Sequence, residues 1–213
     1  MELKKNDKPR IIIILGPTAS GKTAAALSLA QQYPIEIINA DSMQVYRYMD
    51  IGTAKPSPDE CACAPHHLFS IINPDQYYSA ALFVEQGRQL IEDIVARGRL
   101  PVFVGGTGLY IRAVTGGLFE GPEGDEKIRT ELRQKPAEER YLELVRVDPQ
   151  SAVRINLHDT VRVVRALEVY YLTGKTLTEH HREHAFRDVP YCSLQIGLAH
   201  ERHELHRSIE KRV

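Results

Sequence analysis

Residues 11–23 read Ile-Ile-Ile-Ile-Leu-Gly-Pro-Thr-Ala-Ser-Gly-Lys-Thr, and this stretch constrains the fold more tightly than any other. Its apolar, mostly β-branched start suits a strand buried on both faces, as at the centre of a parallel sheet. The strand runs without pause into Gly16-x-x-x-x-Gly21-Lys22-Thr23, the phosphate-binding loop pattern. Glycine at 16 and 21 lets backbone N–H groups close around phosphate oxygens, where a side chain would obstruct them. A helix from Thr23 to about Gln31, rich in Ala and Leu, follows, and its unpaired N–H groups and positive dipole end face the same anion. Lys22 adds a point charge at the outer phosphate, and the Thr23 hydroxyl is available to Mg²⁺. Gly16, Pro17, Thr18, Ala19, Ser20, Gly21, Lys22 and Thr23 are therefore expected to hold a phosphorylated ligand. The pattern does not say whose phosphates these are.

Ile35-Glu36-Ile37-Ile38 reads as a second strand and delivers Asn39-Ala40-Asp41-Ser42 to the sheet's carboxyl edge, where open α/β sheets bind ligands. Asp41 would then share a rim with Lys22, either for chemistry there or to close a turn or cap a helix. Ser79 suits the cap of a helix with Phe83, Leu90, Ile91, Ile94 and Val95 at helical spacing, stopped by Arg97-Gly98-Arg99. Leu100–Val104 is the next strand, feeding Gly105-Gly106-Thr107-Gly108 at the same edge. These glycines serve tight strand-to-helix packing, or let a ligand lie against the backbone with the Thr107 hydroxyl in reach. The class expected is α/β, a P-loop NTPase-like parallel sheet flanked by helices.

Residues 42–76 are rich in proline and poor in periodic apolar positions, which marks a long functional loop. Cys61, Cys63, His66 and His67 lie within it, at a spacing that fits no standard zinc pattern. From about Leu118 to Asp188 strands give way to charged helical patterns, entered through Gly116-Gly117 and Gly121-Pro122. Helices are expected from Asp125, from Pro136 as a first helical residue, and from an Asp159 cap to Thr173-Gly174. In the last of these, Arg162 and Arg165 share a face, which is either simply solvated, with Glu168 as partner to Arg165, or a phosphate contact. His180, His181 and His184 lack a further ligand and read as a polar surface segment. A strand returns at 192–198. Leu205, Ile209 and Val213 then step by four, an amphipathic helix that the chain leaves without a terminator. Three domains of the sequence follow: 1–117, the first part of the core; 118–188, an all-helical insertion; and 189–213, a return to the core that looks truncated.

With 27 basic and 28 acidic residues the formal net charge is −1, so any polyanion must be met by a local patch. Three cysteines argue against a disulfide framework, and the first ten residues lack a signal peptide's apolar core. No apolar run approaches the roughly 20 residues of a membrane span. A cytoplasmic protein with no membrane association and no obligate protein partner is expected.

Six stretches together resemble one family, the tRNA dimethylallyltransferases, which are P-loop isopentenyltransferases. They are the loop itself; Asp41-Ser42-Met43-Gln44-Val45-Tyr46; Asp50-Ile51-Gly52-Thr53-Ala54-Lys55-Pro56; His66-His67-Leu68; Val104-Gly105-Gly106-Thr107-Gly108-Leu109-Tyr110; and Arg162-Val163-Val164-Arg165-Ala166-Leu167-Glu168-Val169 before Thr173-Gly174-Lys175. The resemblance implies transfer of a dimethylallyl group from dimethylallyl diphosphate to N6 of the adenine 3′ of the anticodon, in tRNAs that read codons beginning with uridine. The loop would hold the donor's diphosphate with Mg²⁺, so ATP is not consumed. Lys22, Thr23 and Thr18 would face that diphosphate, and Asp41 the adenine amine; Asp41, Lys22 and Thr107 would form the catalytic set. Asp41, Ser42, Met43, Gln44, Thr107, Arg129, Val161, Arg162, Val163, Val164 and Arg165 would touch the anticodon stem-loop. Family members run well past residue 213, and many have Pro-Asn-Asp where this chain has Leu157-His158-Asp159. Two other readings fit the loop: an isopentenyltransferase acting on AMP, ADP or ATP, and a small-molecule P-loop kinase.

Overall fold

The computed structural model describes residues 8–117, 121–184 and 190–210. The chain divides into two compact units, Met1–Leu118 with Asp188–Val213, and Phe119–Arg187. Among the described residues no helix is long and apolar enough to cross a membrane.

The first unit is built on a five-stranded sheet. Its strands are β1 (Arg10–Leu15), β2 (Ile35–Asn39), β3 (His66–His67), β4 (Leu100–Gly105) and β5 (Cys192–Gly197), in the order β3-β2-β4-β1-β5. Every pairing is parallel. The helices α1 (Lys22–Ala30), α2 (Pro58–Cys63), α3 (Ala80–Ala96) and α4 (Gly108–Gly116) come between the strands, and α10 (Arg202–Glu210) follows the last.

The isoleucine run explains why β1 is central. Successive side chains alternate between faces, so a strand with helices on both sides must be apolar throughout. Ile11 and Ile13 join Ile38, Phe103, Phe83 and Ile91 in one core, while Ile14 joins Ile35, Ile37, Val102 and Ala26 in the other. Phe83 stacks on Tyr110 with ring centroids 4.2 Å apart and meets Phe103 edge-on. That contact ties α3 and α4 to the sheet, and each buried ring or isoleucine contributes about 2 kcal/mol.

Several boundaries follow from local chemistry. The Ser79 side chain accepts from the Leu82 N–H, and Gly98 turns the chain after α3 at φ +69°. The stretch 42–76 is less irregular than its composition suggests. It contains α2, closed by a reciprocal Ser57–Glu60 capping box, and the short β3. The charged strand residue Glu36 is buried and takes hydrogen bonds from Arg97 at 2.8 and 3.0 Å, with His67 at 2.7 Å. The Arg97 fork holds its carboxyl below the usual range.

The second unit is helical: α5 (Glu126–Gln134), α6 (Ala137–Val147), α7 (Pro149–Arg154), α8 (Thr160–Thr173) and α9 (Leu177–His184). Asp125 and Asp159 cap α5 and α8 as their positions predict, and Gly174 ends α8 at φ +71°. Pro136 is the cap of α6 rather than its first helical residue. The polar segment with His180 and His181 is a regular helix, and Thr178 of that helix is buried against Asp148. The His184 side chain and Val213 fall outside the described residues.

Glu168 lies at the centre of this unit with no solvent exposure. Its oxygens accept from Arg165 Nη1 at 2.6 Å, Arg129 Nε at 2.8 Å and the Asp125 N–H at 2.8 Å. Burial raises the carboxyl, but the bonds from Arg165 and Arg129 outweigh it, and the group sits below its ordinary 4.5. A carboxyl depressed in the folded chain adds stability above its unfolded pKa, and that stability fades as the pH drops through the folded value. Glu168→Gln should therefore cost about 3 kcal/mol near neutrality. It should also flatten the loss of stability below pH 4.5. Urea midpoints measured between about pH 7 and pH 3 check both.

Candidate active site

Paired residues at the carboxyl ends of the central strands bring three loops level. Leu15 pairs with Gly105 and with Gly197, and Asn39 pairs with Val104. The loops after β1, β2 and β4 therefore open onto one rim, the expected ligand edge of such a sheet. They surround a cavity of about 450 Å³ lined by residues 16–24, by Asp41, Ser42, Gln44, Thr53, Ala54 and Glu60, and by 104–107.

The first loop is a cradle of backbone donors. Gly21 adopts φ +82° and Ala19 φ +62°, so the chain turns through left-handed conformations in which successive N–H groups form a concave nest. Helix α1 begins at Lys22 and adds its positive end. Lys22 Nζ donates to the carbonyls of Gly16 at 2.9 Å and Pro17 at 2.6 Å, which holds the ammonium over the loop. The Ser20 hydroxyl is buried and has no hydrogen-bond partner in the protein, an oxygen-seeking group inside the cradle. Gly16 is required sterically, since a Cβ there would lie 2.7 Å from both the Leu198 carbonyl and Ser20 Oγ. The segment after β5 thus braces the loop, and His200 Nε2 adds a contact of 3.1 Å to the Ser20 carbonyl.

The second loop presents Asp41. Asn39, fully buried, donates through Nδ2 to the carbonyls of Asp41 and Leu68, both at 3.0 Å, and accepts from the Asp41 N–H at 2.8 Å. Asp41 Oδ1 accepts from the Met43 N–H at 2.9 Å. The carboxylate thus closes a turn and also lines the cavity, so its two expected roles are compatible. Gln44 Nε2 donates to the carbonyls of Thr53 and Ala54, at 2.8 and 3.1 Å, and holds the far wall. Tyr110 packs beneath; burial, with neighbouring tyrosines and Asp41 adding to it, pushes its phenol up to about 12.

The third loop interlocks with the second. The Ala40 N–H donates to Val104 at 2.9 Å, its carbonyl accepts from Thr107 N–H at 3.1 Å, and Thr107 Oγ1 accepts from Ser42 N–H at 3.0 Å. Gly105 lies between, and a Cβ on it would come within 2.2 Å of the Ala40 carbonyl. Tight packing therefore accounts for Gly105, whereas Gly108 leaves its surroundings open.

The remaining sequence candidates are in the second unit. Val161 is exposed and Arg162 is 73% exposed, 3.4 Å from Asp159. Val163 and Val164 are corrected: both are buried against Leu132 and Leu144, because that face of α8 packs the helical core, and their side chains cannot reach RNA. Arg129 and Arg165 are the arms of the Glu168 cluster. The Cys–His group diverges into separate contacts, His66 Nδ1 with the Ala64 carbonyl and His67 with Glu36, while Cys61 and Cys63 are exposed. Among the described residues no three His, Cys, Asp or Glu side chains converge as metal ligands.

The bonding role of Asn39 in this arrangement escaped the sequence reading. Asn39 carries no signal, because its work is done by bonds to backbone far along the chain. In the second unit Glu168 is the partner to Arg165 that the sequence offered, and what the sequence did not show is its further bonds from Arg129 and the Asp125 N–H.

A parallel sheet opening a glycine cradle, a lysine and a carboxylate onto one cavity defines a P-loop-type α/β protein. The chain belongs to the IPP transferase family, whose model matches residues 44–213, while an isopentenyl transferase model matches residues 9–65. It is thus a transferase, similar to tRNA dimethylallyltransferase 2 of Syntrophus aciditrophicus (51% identity over 211 residues, 97% of this chain and 68% of the relative). It is also similar to the tRNA dimethylallyltransferase of Geobacter sulfurreducens (48%, covering 97% and 68%). Among solved structures, the full-length tRNA isopentenylpyrophosphate transferase of Bacillus halodurans superposes with a TM-score of 0.64 at 40% identity, covering 96% of this chain and 65% of that one. A eukaryotic dimethylallyltransferase acting on tRNA gives 0.78 at 31% identity, covering 95% and 51%. The chain therefore spans about two thirds of the length of its bacterial relatives.

Because Gly105 and Ala40 interlock through backbone, Gly105→Ala is expected to destabilise the protein by about 3 kcal/mol. A lowered urea midpoint with an unchanged m-value is the outcome to measure.

Proposed function

We propose that the protein transfers a dimethylallyl group from dimethylallyl diphosphate to N6 of the adenine at tRNA position 37, beside the anticodon, and releases diphosphate. The observation that carries this reading is that Asp41 and the phosphate cradle line the same cavity. An exocyclic adenine amine is a weak nucleophile, since its lone pair is delocalised into the ring. Alkylating it requires a strong electrophile, a proton acceptor and close alignment.

The cradle supplies the first requirement. Loop N–H groups, the α1 terminus, the Ser20 hydroxyl and Lys22 receive the diphosphate, with Lys22 exchanging its loop carbonyls for phosphate oxygens. As the allylic C–O bond breaks, its electron pair leaves with the diphosphate, and these fixed dipoles stabilise the growing charge. The adenine nitrogen bonds to the allylic carbon and passes its proton to Asp41, a step worth roughly 10²–10⁴-fold. The Asn39 bonds hold the Asp41 turn where that transfer occurs, and Thr107 fixes the turn through Ser42.

Among the described residues no three His, Cys, Asp or Glu side chains converge on a cation; Mg²⁺ is commonly held by substrate phosphates, water and one or two protein oxygens. Thr23, on the cavity wall, would supply such an oxygen, and the bound ion would neutralise diphosphate charge. The reactive base must leave the anticodon stack to reach the cavity. The anticodon stem-loop is met by residues 41–44, Thr107, Val161 and Arg162, and by the outward faces of Arg129 and Arg165. These arginines hold RNA backbone and do not read sequence. The work is done in the cytoplasm, on tRNAs whose codons begin with uridine.

Asp41→Asn is expected to lower single-turnover alkyl transfer by about 10²–10⁴-fold while tRNA affinity stays within a few-fold. Rapid-quench assays with labelled dimethylallyl diphosphate and unmodified tRNA test this; transfer to AMP in preference to tRNA would instead favour an adenylate prenyltransferase. Arg162→Ala should reduce the slope of log affinity against log salt by about 1. A filter-binding salt series measures it, and an unchanged slope returns Arg162 to a solvated helix face.

A further inference from the structure

The loop that follows Asp41 carries large side chains that fold stability does not account for. Tyr48 is 82% exposed, Ile51 92% and Met43 44%, and together they edge an open groove of about 530 Å³. Thr53 lines both this groove and the phosphate cavity, so the two adjoin at that residue. The loop is not slack. Lys55 Nζ bonds the Tyr46 carbonyl and Asp50 Oδ1, Gln44 bonds Thr53, and the Arg47 N–H donates to Ile72 at 2.8 Å.

Tyr48 sits on this rigid support with φ +65°. A bulky residue is disfavoured in that left-handed region, where glycine is free. The chain thus keeps an aromatic ring where the backbone favours none, and directs it to solvent beside the reaction cavity. Strain held at a site rim marks a residue retained for what it contacts.

We propose that Tyr48 is a stacking platform for the nucleobase next to the reacting adenine, with Met43 and Ile51 as the apolar edge of the same subsite. This rests on the reading above that the acceptor is RNA. Turning the adenine out of the anticodon loop breaks its stacking on its neighbours, and an exposed ring on the groove beside the cavity replaces that stacking. A flat π-face over an open groove suits a base. A five-carbon prenyl tail would remain largely in water there and is better served by an enclosed wall.

The test uses Tyr48→Gly, which removes the ring and the backbone strain together, and Tyr48→Phe, which keeps the ring. Tyr48→Gly is expected to weaken binding of an anticodon stem-loop about tenfold. Its urea midpoint should be equal to or above that of the parent, since the strain is gone, and KM for dimethylallyl diphosphate should not change. Tyr48→Phe should bind like the parent. A 2-aminopurine placed next to the target adenine should be quenched on binding by the parent and by Tyr48→Phe, and not by Tyr48→Gly. Unchanged affinity and quenching in Tyr48→Gly, with the parent active on tRNA, overturn the proposal alone. A raised KM for the donor assigns the groove to the prenyl chain, and a changed sedimentation coefficient assigns it to a second copy; either overturns it. A parent chain that modifies AMP but binds no stem-loop overturns the RNA reading and this proposal with it.

Discussion

The site depends on one interlock between backbones. Ala40 gives its N–H to Val104 and takes the Thr107 N–H on its carbonyl, with Gly105 pressed between them. Because β2 and β4 are in register, this crossing falls at the level where β1 releases the phosphate loop. The position of Asp41 relative to Lys22 is therefore set by main-chain hydrogen bonds inside a close-packed sheet. A carboxylate held this way has little freedom left to lose, which suits the proton-accepting role proposed for it.

The sequence made the first unit legible because its signals are local. Four isoleucines alternate between two cores, Gly21 takes the left-handed turn, and Ser79 caps the helix its side chain is spaced to cap. The parts that stayed hidden work through distant partners. Asn39 reaches a carbonyl 29 residues away, and His200 reaches Ser20 across 180 residues. No pattern in a short window encodes such contacts. The 42–76 region was read as loop because proline there signals irregularity, yet one proline opens α2 at its first turn.

The valines of α8 show how a family resemblance and physical chemistry divide. A run named by resemblance as RNA-contacting carries Val163 and Val164, which the helical period turns inward, while Val161 and Arg162 face out. A contiguous stretch of helix presents only some of its members to any one surface. Asp148 carries the same lesson at a cap: it serves the α7 start through the Ser151 N–H and α9 through Thr178.

On the proposed reading, the Glu168 cluster is how a chain of net charge −1 would grip a polyanion. One buried carboxylate neutralises part of two guanidinium groups, leaving about one positive charge shared by Arg129 and Arg165. Both guanidinium groups are fixed by bonds of 2.6–2.8 Å to Glu168, and Arg165 also donates through Nη2 to the Pro122 carbonyl at 3.0 Å, so their orientation is set by the protein itself. Flexible surface arginines would give more net charge but would lose rotamer freedom on binding. Pre-orienting two cations around a hidden anion sacrifices Coulomb attraction at a distance for geometry at contact.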